Sequence, residues 1–202
     1  MDTLTVLAGD PTAFQIRYAS NLDIGDSVVN LTNTGVNSTM SFPTQDGNIC
    51  VNVYAFSPDE QLVTCCSCLV TPDGLVSLSA RNDLISNTLT PGVPTAIVVK
   101  LVATAGTGAA APNICNPATV NTGTNLPVSG LSAWGTTLHA LPLTPGSPAT
   151  TYGETETPFT LATLSAAELQ RIGTLCGFIQ NNGSGFGICK SCRLGGLGSE
   201  KQ

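Results

Sequence analysis

The chain has 202 residues, of which 10% are charged, and a formal net charge of -6. Its few Lys and Arg residues form no cluster, and an acidic chain of this kind repels a phosphate backbone, so we expect no nucleic-acid partner. No run of about 18 apolar residues is present, so no transmembrane segment is predicted. The length and the 42% of hydrophobic residues predict a single domain over 1–202 with a substantial core.

The low content of charged residues indicates a polar but weakly charged surface. An ordinary soluble domain has about 25% charged residues, whereas Thr, Ser, Asn and Gly fill the polar positions here. Copies of such a protein repel one another only weakly, which permits self-association. The chain begins Met1-Asp2-Thr3, without a basic start or a long apolar stretch. If the protein is exported, we therefore expect that its leader has been removed.

The first hundred residues contain short segments with alternating or fully apolar patterns, separated by turn residues such as those at 72–74. The predicted strands are 3–8, 13–19, 27–32, 38–42, 49–56, 61–66, 75–80 and 95–104. Their regular spacing predicts a mainly β chain with a β-sandwich-like fold of short strands.

Two of these strands allow a finer prediction. In 49–56 the alternation directs Val51 and Val53 towards the core and Asn52 towards solvent. Segment 95–104 contains a continuous apolar run, which is typical of a central strand that is buried on both faces.

The second half of the chain is less regular. Gly, Ala, Asn, Thr and Pro predominate over 105–130, which predicts a loop-rich segment with Cys115 as its anchor if that residue is paired. Segment 131–143 regains a strand pattern around Trp134, and 142–155 is predicted to be a loop.

One C-terminal helix is predicted over about 165–181. Ser165 is placed at its N-cap, Glu168 completes a capping box, and Leu164 can pack against Leu169. Asn182-Gly183 supplies the stop signal. The apolar stripe that would face the sandwich consists of Leu169, Ile172, Leu175 or Cys176, and Ile179.

An even number of cysteines in a chain of this composition is typical of disulfides formed in an oxidising compartment. The predicted disulfide cysteines are Cys50, Cys65, Cys66, Cys68, Cys115, Cys176, Cys189 and Cys192. In a strand, Cys66 and Cys68 point to one face and Cys65 to the other, so we expect three different partners for them. Cys176 is expected to pair with Cys189 or Cys192, which follow the predicted helix.

The same cysteines contain two CxxC spacings, which offer an alternative. Two such pairs can place four thiolates around one Zn²⁺, here Cys65, Cys68, Cys189 and Cys192. The two pairs are far apart in the chain and lack the glycine that usually follows a zinc knuckle. Neither stands at a helix start, as a thioredoxin-like role requires. We therefore assign no metal and no cofactor.

No motif in the chain predicts catalysis. His139 is the sole histidine, and it lies in a predicted strand without a motif around it, so a structural or surface role is favoured. Glu154 and Glu156 form the closest acidic pair, but their Thr and Gly neighbours favour a solvated turn over glycosidase chemistry. The glycine-rich segment 106–111 is followed by Pro112 rather than by a phosphate-binding helix. We expect that the protein is not an enzyme.

The aromatic residues allow one binding hypothesis. Trp134, Tyr152 and Phe159 could form a platform for a sugar ring, although each is also a candidate for the core.

Four stretches of the chain carry a resemblance. They are 14–19 (FQIRYA), 25–32 (GDSVVNLT), 65–68 (CCSC), and 176–192, which begins CGFIQ and ends with a CxxC. The chain resembles uncharacterised secreted bacterial proteins that share these stretches over most of their length. The resemblance implies export, and it implies no activity and no site residue.

The sequence therefore predicts a secreted, disulfide-stabilised structural or interaction protein of the cell exterior. Its sharper version is self-assembly into a filament or matrix, with the apolar strand 3–8 pairing with a neighbouring copy. The first alternative is a cysteine-based metal-binding or thiol-redox protein. The second is a carbohydrate-binding module that uses Trp134.

Overall fold

The computed structural model describes residues 13–38, 47–106, 115–120, 125–141 and 152–192. These ranges contain nine strands, one π-helical turn at Ala80–Leu84 and one α-helix. The elements are β1 (Phe14–Ala19), β2 (Val28–Asn33), β3 (Ile49–Phe56), β4 (Leu62–Val70), β5 (Leu75–Ser79), β6 (Ile97–Ala105), β7 (Leu131–Ala140), β8 (Tyr152–Pro158), β9 (Thr160–Leu161) and α1 (Ala166–Asn181).

The strands form two antiparallel sheets. The large sheet has the order β4-β3-β6-β1-β9, and the small sheet has the order β5-β2-β7-β8. Side chains of both sheets share one buried cluster, which includes Val51 and Leu101 of the large sheet and Leu31 and Leu78 of the small one. The predicted class is confirmed: the fold is mainly β and sandwich-like, with one C-terminal helix and four disulfides.

Most of the predicted strands that fall in the described ranges are present. β3 coincides with the prediction, and β6 lies between β3 and β1 with most of its side chains buried, as expected of a central strand. β4 continues to Val70, well beyond the predicted end. The predicted strand 3–8 lies outside the described residues, as does 38–42 apart from Ser38.

The outer face of the large sheet is covered over β3 and β4, and this overturns one prediction. Asn52, which was expected in solvent, is fully buried. Its Nδ2 donates to Val102 O and Thr104 Oγ1, both at 3.0 Å, and its Oδ1 accepts from Ser67 Oγ at 2.8 Å. The alternation of β3 was predicted correctly, but α1 and segment 115–120 shield its second face from water, so a polar side chain there needs protein partners.

Helix α1 begins where the sequence predicts. Ser165 is the N-cap, and its Oγ accepts from the backbone N–H of Glu168 at 3.1 Å. The Glu168 carboxylate binds Lys100 and Arg171 instead of closing the second half of the capping box. The buried stripe of the helix is Leu169, Ile172, Gly173, Cys176 and Ile179, with Leu175 partly buried. No helix in the described ranges is long and apolar enough to cross a membrane.

The predicted loop over 142–155 is wrong in part, because Tyr152–Pro158 forms strand β8, paired with β7 at the edge of the small sheet. β8 has no buried face, so its sequence shows no apolar alternation to mark it as a strand. Glu154 and Glu156 therefore lie on an edge strand, where a solvated turn was expected.

The charges around Glu168 generate a prediction about pH. The carboxylate accepts from Arg171 Nε at 2.7 Å and from Lys100 Nζ at 2.7 Å, and these bonds lower its pKa to about 2. A carboxyl group whose pKa is lower in the folded state stabilises the fold above its unfolded value, near 4.5, and loses that contribution as the pH falls towards 2.

We expect Glu168→Gln to reduce the free energy of unfolding by about 0.5–1 kcal/mol near neutral pH, as for a partly exposed ion pair. The difference from the wild type should vanish as the pH approaches 2. Urea unfolding at a series of pH values measures this difference in the free energy of unfolding. The matched control is Glu154→Gln, at an exposed position without an ion pair among the described residues. A difference that does not change with pH would contradict this role of Glu168.

Candidate functional site

All eight cysteines lie in described ranges, and all are paired. The disulfides are Cys50–Cys115, Cys65–Cys176, Cys66–Cys189 and Cys68–Cys192. The prediction that every cysteine is in a disulfide is confirmed, and Cys115 anchors the loop-rich segment to β3, as expected if it is paired.

The three cysteines of β4 reach three partners because their side chains alternate across the strand. Cys65 points to the outer face and binds Cys176 of α1, which packs there. Cys66 and Cys68 point into the sandwich and bind Cys189 and Cys192. The expectation of three different partners is confirmed.

The expected partner of Cys176 is wrong. It was predicted to pair with Cys189 or Cys192 because these lie nearest along the chain. The structure pairs it with Cys65, because the buried stripe of α1 lies directly on the outer face of β4. Proximity across the sheet therefore outweighs proximity in sequence.

The four cysteines of the alternative metal site are divided among three disulfides. Cys65 is joined to the helix on one face of β4, whereas Cys68 and Cys189 are buried on the other face. In this oxidised arrangement none of them offers the thiolate that zinc requires. The described ranges contain no group of three or more His, Cys, Asp or Glu residues that could hold a metal ion.

The candidate catalytic residues lie along β7 and β8. His139 is exposed near the end of β7, and its Nε2 lies 2.8 Å from Thr155 Oγ1. Glu154 and Glu156 are exposed on β8, and Glu156 accepts from Asn30 Nδ2 at 3.3 Å. In these described contacts the histidine is paired with no carboxylate, so the geometry does not resemble a catalytic dyad or triad.

The three candidate aromatic residues do not form a common platform. Phe159 is buried in the sandwich, beside the guanidinium of Arg17 at 5.7 Å from its ring centre. Tyr152 pairs with Ala140 at the far end of β7, six residues from Trp134. At the usual rise of a strand that is about 20 Å away. Trp134 therefore stands apart from the other two.

Trp134 lies on the outer face of the small sheet. The register aligns one outward-facing residue from each strand in a row, which we call the Trp134 row: Ser77, Asn30, Trp134 and Pro158. Ser77 Oγ donates to Asn30 Oδ1 at 2.6 Å, and Asn30 Nδ2 donates to Glu156 beside the row. Sequence reasoning identified Trp134 but missed Asn30 and Ser77, because only the strand register brings these distant positions together.

Arg17 connects this part of the small sheet to the large one. Its side chain is almost fully buried between the sheets, where Nη1 donates to Thr157 O at 2.7 Å and Nη2 to Thr137 Oγ1 at 2.6 Å. Burial lowers the pKa of the guanidinium, and the nearby Glu156 carboxylate partly offsets this. Because the two threonines belong to β8 and β7, Arg17 holds both strands against β1.

A shallow cleft of about 620 Å³ lies elsewhere, between 57–63 and 90–95. Its one carboxylate, Asp59, already accepts hydrogen bonds from Ser57 Oγ and from Gln61 Nε2. These bonds make Asp59 part of a local turn.

No protein-family model, curated protein or solved structure matches this chain. Its function is therefore inferred from its own sequence and geometry.

The disulfide map can be tested with two double variants. Cys65→Ala with Cys176→Ala removes a complete pair, and we expect a denatured, unreduced sample to take up no thiol-alkylating reagent, like the wild type. Cys66→Ala with Cys176→Ala removes one partner from each of two pairs, so Cys65 and Cys189 should each take up reagent. Cys65 lies in the cluster on the outer face and Cys189 in the cluster between the sheets, so the two cannot join without movement of the backbone.

Intact mass spectrometry counts the added groups. The map would be contradicted if the mismatched variant took up no reagent, or if the matched variant did.

Proposed function

We propose that this chain is an exported, disulfide-stabilised structural or interaction protein of the cell exterior, which acts by binding rather than by catalysis. The single observation that supports export best is the pairing of all eight cysteines. Cytosolic thiols are kept reduced, whereas disulfides persist in oxidising compartments. Free thiols in protein purified from its natural source would overturn this part of the proposal.

The spacing of the disulfides suits a structural role outside the cell. They join residues that are 65, 111, 123 and 124 positions apart. In the chain-entropy model, closing one loop of about 100 residues contributes about 4.7 kcal/mol, because it restricts the unfolded chain. Such cross-links limit unfolding where chaperones are absent.

The sheet edges suggest how copies would associate. In the part of the chain that the structure describes, β5 and β8 have no strand on their outer sides. An unpaired edge offers backbone N–H and C=O groups to a strand of another molecule. The edges of the small sheet are therefore the surfaces through which we propose that copies join.

Charge disfavours one way of joining. Two β8 strands would bring Glu154 and Glu156 of both copies together, which is unfavourable. The sequence of β5, LVSLS, carries no charge, so pairing of β5 with β8 of the next copy avoids this repulsion. A head-to-tail contact of this kind leaves a free edge on each added copy, so it produces a filament or a continuous layer unless the rotation between copies closes a ring.

A charge at Leu75 tests this contact. Leu75 is 60% exposed at the start of β5. We expect Leu75→Lys to strengthen association, because Lys attracts the glutamates of β8, and Leu75→Glu to weaken it. Both variants lose the same apolar side chain, so their difference isolates the sign of the charge, and added salt should reduce that difference.

Sedimentation velocity over a series of protein concentrations measures the association, and electron microscopy shows its form. Gln170→Lys and Gln170→Glu place the same charges on the exposed side of α1, and they should not differ from one another. A wild-type protein that remains monomeric at the highest concentration and forms no fibres would overturn self-assembly. Equal behaviour of the two Leu75 variants would exclude the β5–β8 contact.

A further inference from the structure

The side chain of Trp134 occupies an unusual position for the sole tryptophan of a chain with a large core. It is half-buried near the middle of the outer face of the small sheet, rather than between the sheets. Its indole N–H has no hydrogen-bond partner among the described residues. A buried tryptophan usually satisfies this group, so the position of Trp134 on the outer face and the lack of a partner among the described residues together indicate a contact surface.

The polar groups beside the ring are held in place. Asn30 is directly across from Trp134 in the register, and its amide is fixed on both sides by Ser77 and by Glu156. Residues of β2, β5 and β8 thus orient the side-chain amide of Asn30. In the described contacts the second amide N–H of Asn30 and the second carboxylate oxygen of Glu156 have no partner, so each can bind a ligand without rearrangement.

The charges of this face select the class of ligand. The four strands of the small sheet contain no Lys or Arg, and the carboxylates of Glu154 and Glu156 stand beside the Trp134 row. Carboxylates accept hydrogen bonds from hydroxyl groups and repel anions. A neutral ligand that is rich in hydroxyl groups and has an apolar face for stacking is therefore complementary to this surface.

The shape of the face points to a chain rather than to a single small molecule. The Trp134 row crosses four strands, a width of about 14 Å at the usual strand spacing. We propose that the Trp134 row binds a neutral polysaccharide, with a sugar ring stacked on Trp134 and hydroxyl groups bonded to Asn30 and Glu156. This inference deepens the proposed binding role of the exported protein and depends on it.

Because Trp134 is the sole tryptophan, its own fluorescence reports on the site. Titration with cellohexaose, chitohexaose and xylohexaose should produce a saturable blue shift with at least one of them. Polygalacturonate, an anionic polymer, should produce none. If no neutral oligosaccharide shifts the emission, or if polygalacturonate alone does, the inference is wrong.

Variants assign the binding to this row. We expect Trp134→Ala to weaken binding to insoluble cellulose, chitin or xylan by on the order of tenfold, as for a central aromatic contact, and Trp134→Tyr to retain part of it. Phe178→Ala is the control, because Phe178 is an exposed aromatic residue on α1. Thermal unfolding checks that the variants fold.

Equal binding by Trp134→Ala and the wild type would overturn the inference. A polysaccharide result of either kind leaves the thiol count and the sedimentation results unchanged, so a failure here is distinct from a failure of the proposed export or self-assembly.

Discussion

The alternation of side chains along β4 is the constraint on which the rest of the structure depends. One strand sends Cys65 to the helix and Cys66 and Cys68 to the C-terminal segment, so three disulfides fix elements on both faces of the large sheet. The backbone adds to this, because the N–H of Cys65 donates to Gly187 O at 2.9 Å. Segment 187–189 thereby lies along the edge of β4 beside Cys65 and covers that part of it.

Because of this arrangement, other parts of the chain cover the large sheet more completely than they cover the small sheet. The large sheet has α1 and segment 115–120 on its outer face, and its edges are β4, which Leu89 and segment 187–189 cover in part, and β9, which has only two residues. The small sheet has two longer edge strands and an outer face of mixed polar residues that the described elements leave exposed. The surfaces suited to interaction are therefore concentrated on the small sheet, and the large sheet provides the support.

The structural features that depend on the local pattern of residues were predicted correctly from the sequence. The strands with an apolar face were found, the N-cap at Ser165 was identified, and the alternation of the CCSC run correctly gave three partners. The predictions that failed concern residues whose burial or disulfide partner depends on which face of a strand another element covers. Asn52 is buried because the helix shields its side of β3, and Cys176 binds Cys65 for the same reason. β8 has no buried face, so only its backbone pairing with β7 defines it.

The position of the Trp134 row connects the two kinds of interaction proposed for the small sheet. The row runs across the strands, from β5 at one edge to β8 at the other. Copies that join β5 to β8 extend the sheet in this same direction, so their rows would be aligned in one continuous series. Weak sites in such a series act together, because binding at one holds the same polymer close to the next. Self-assembly would thus convert a shallow, single-tryptophan surface into one that retains a long chain.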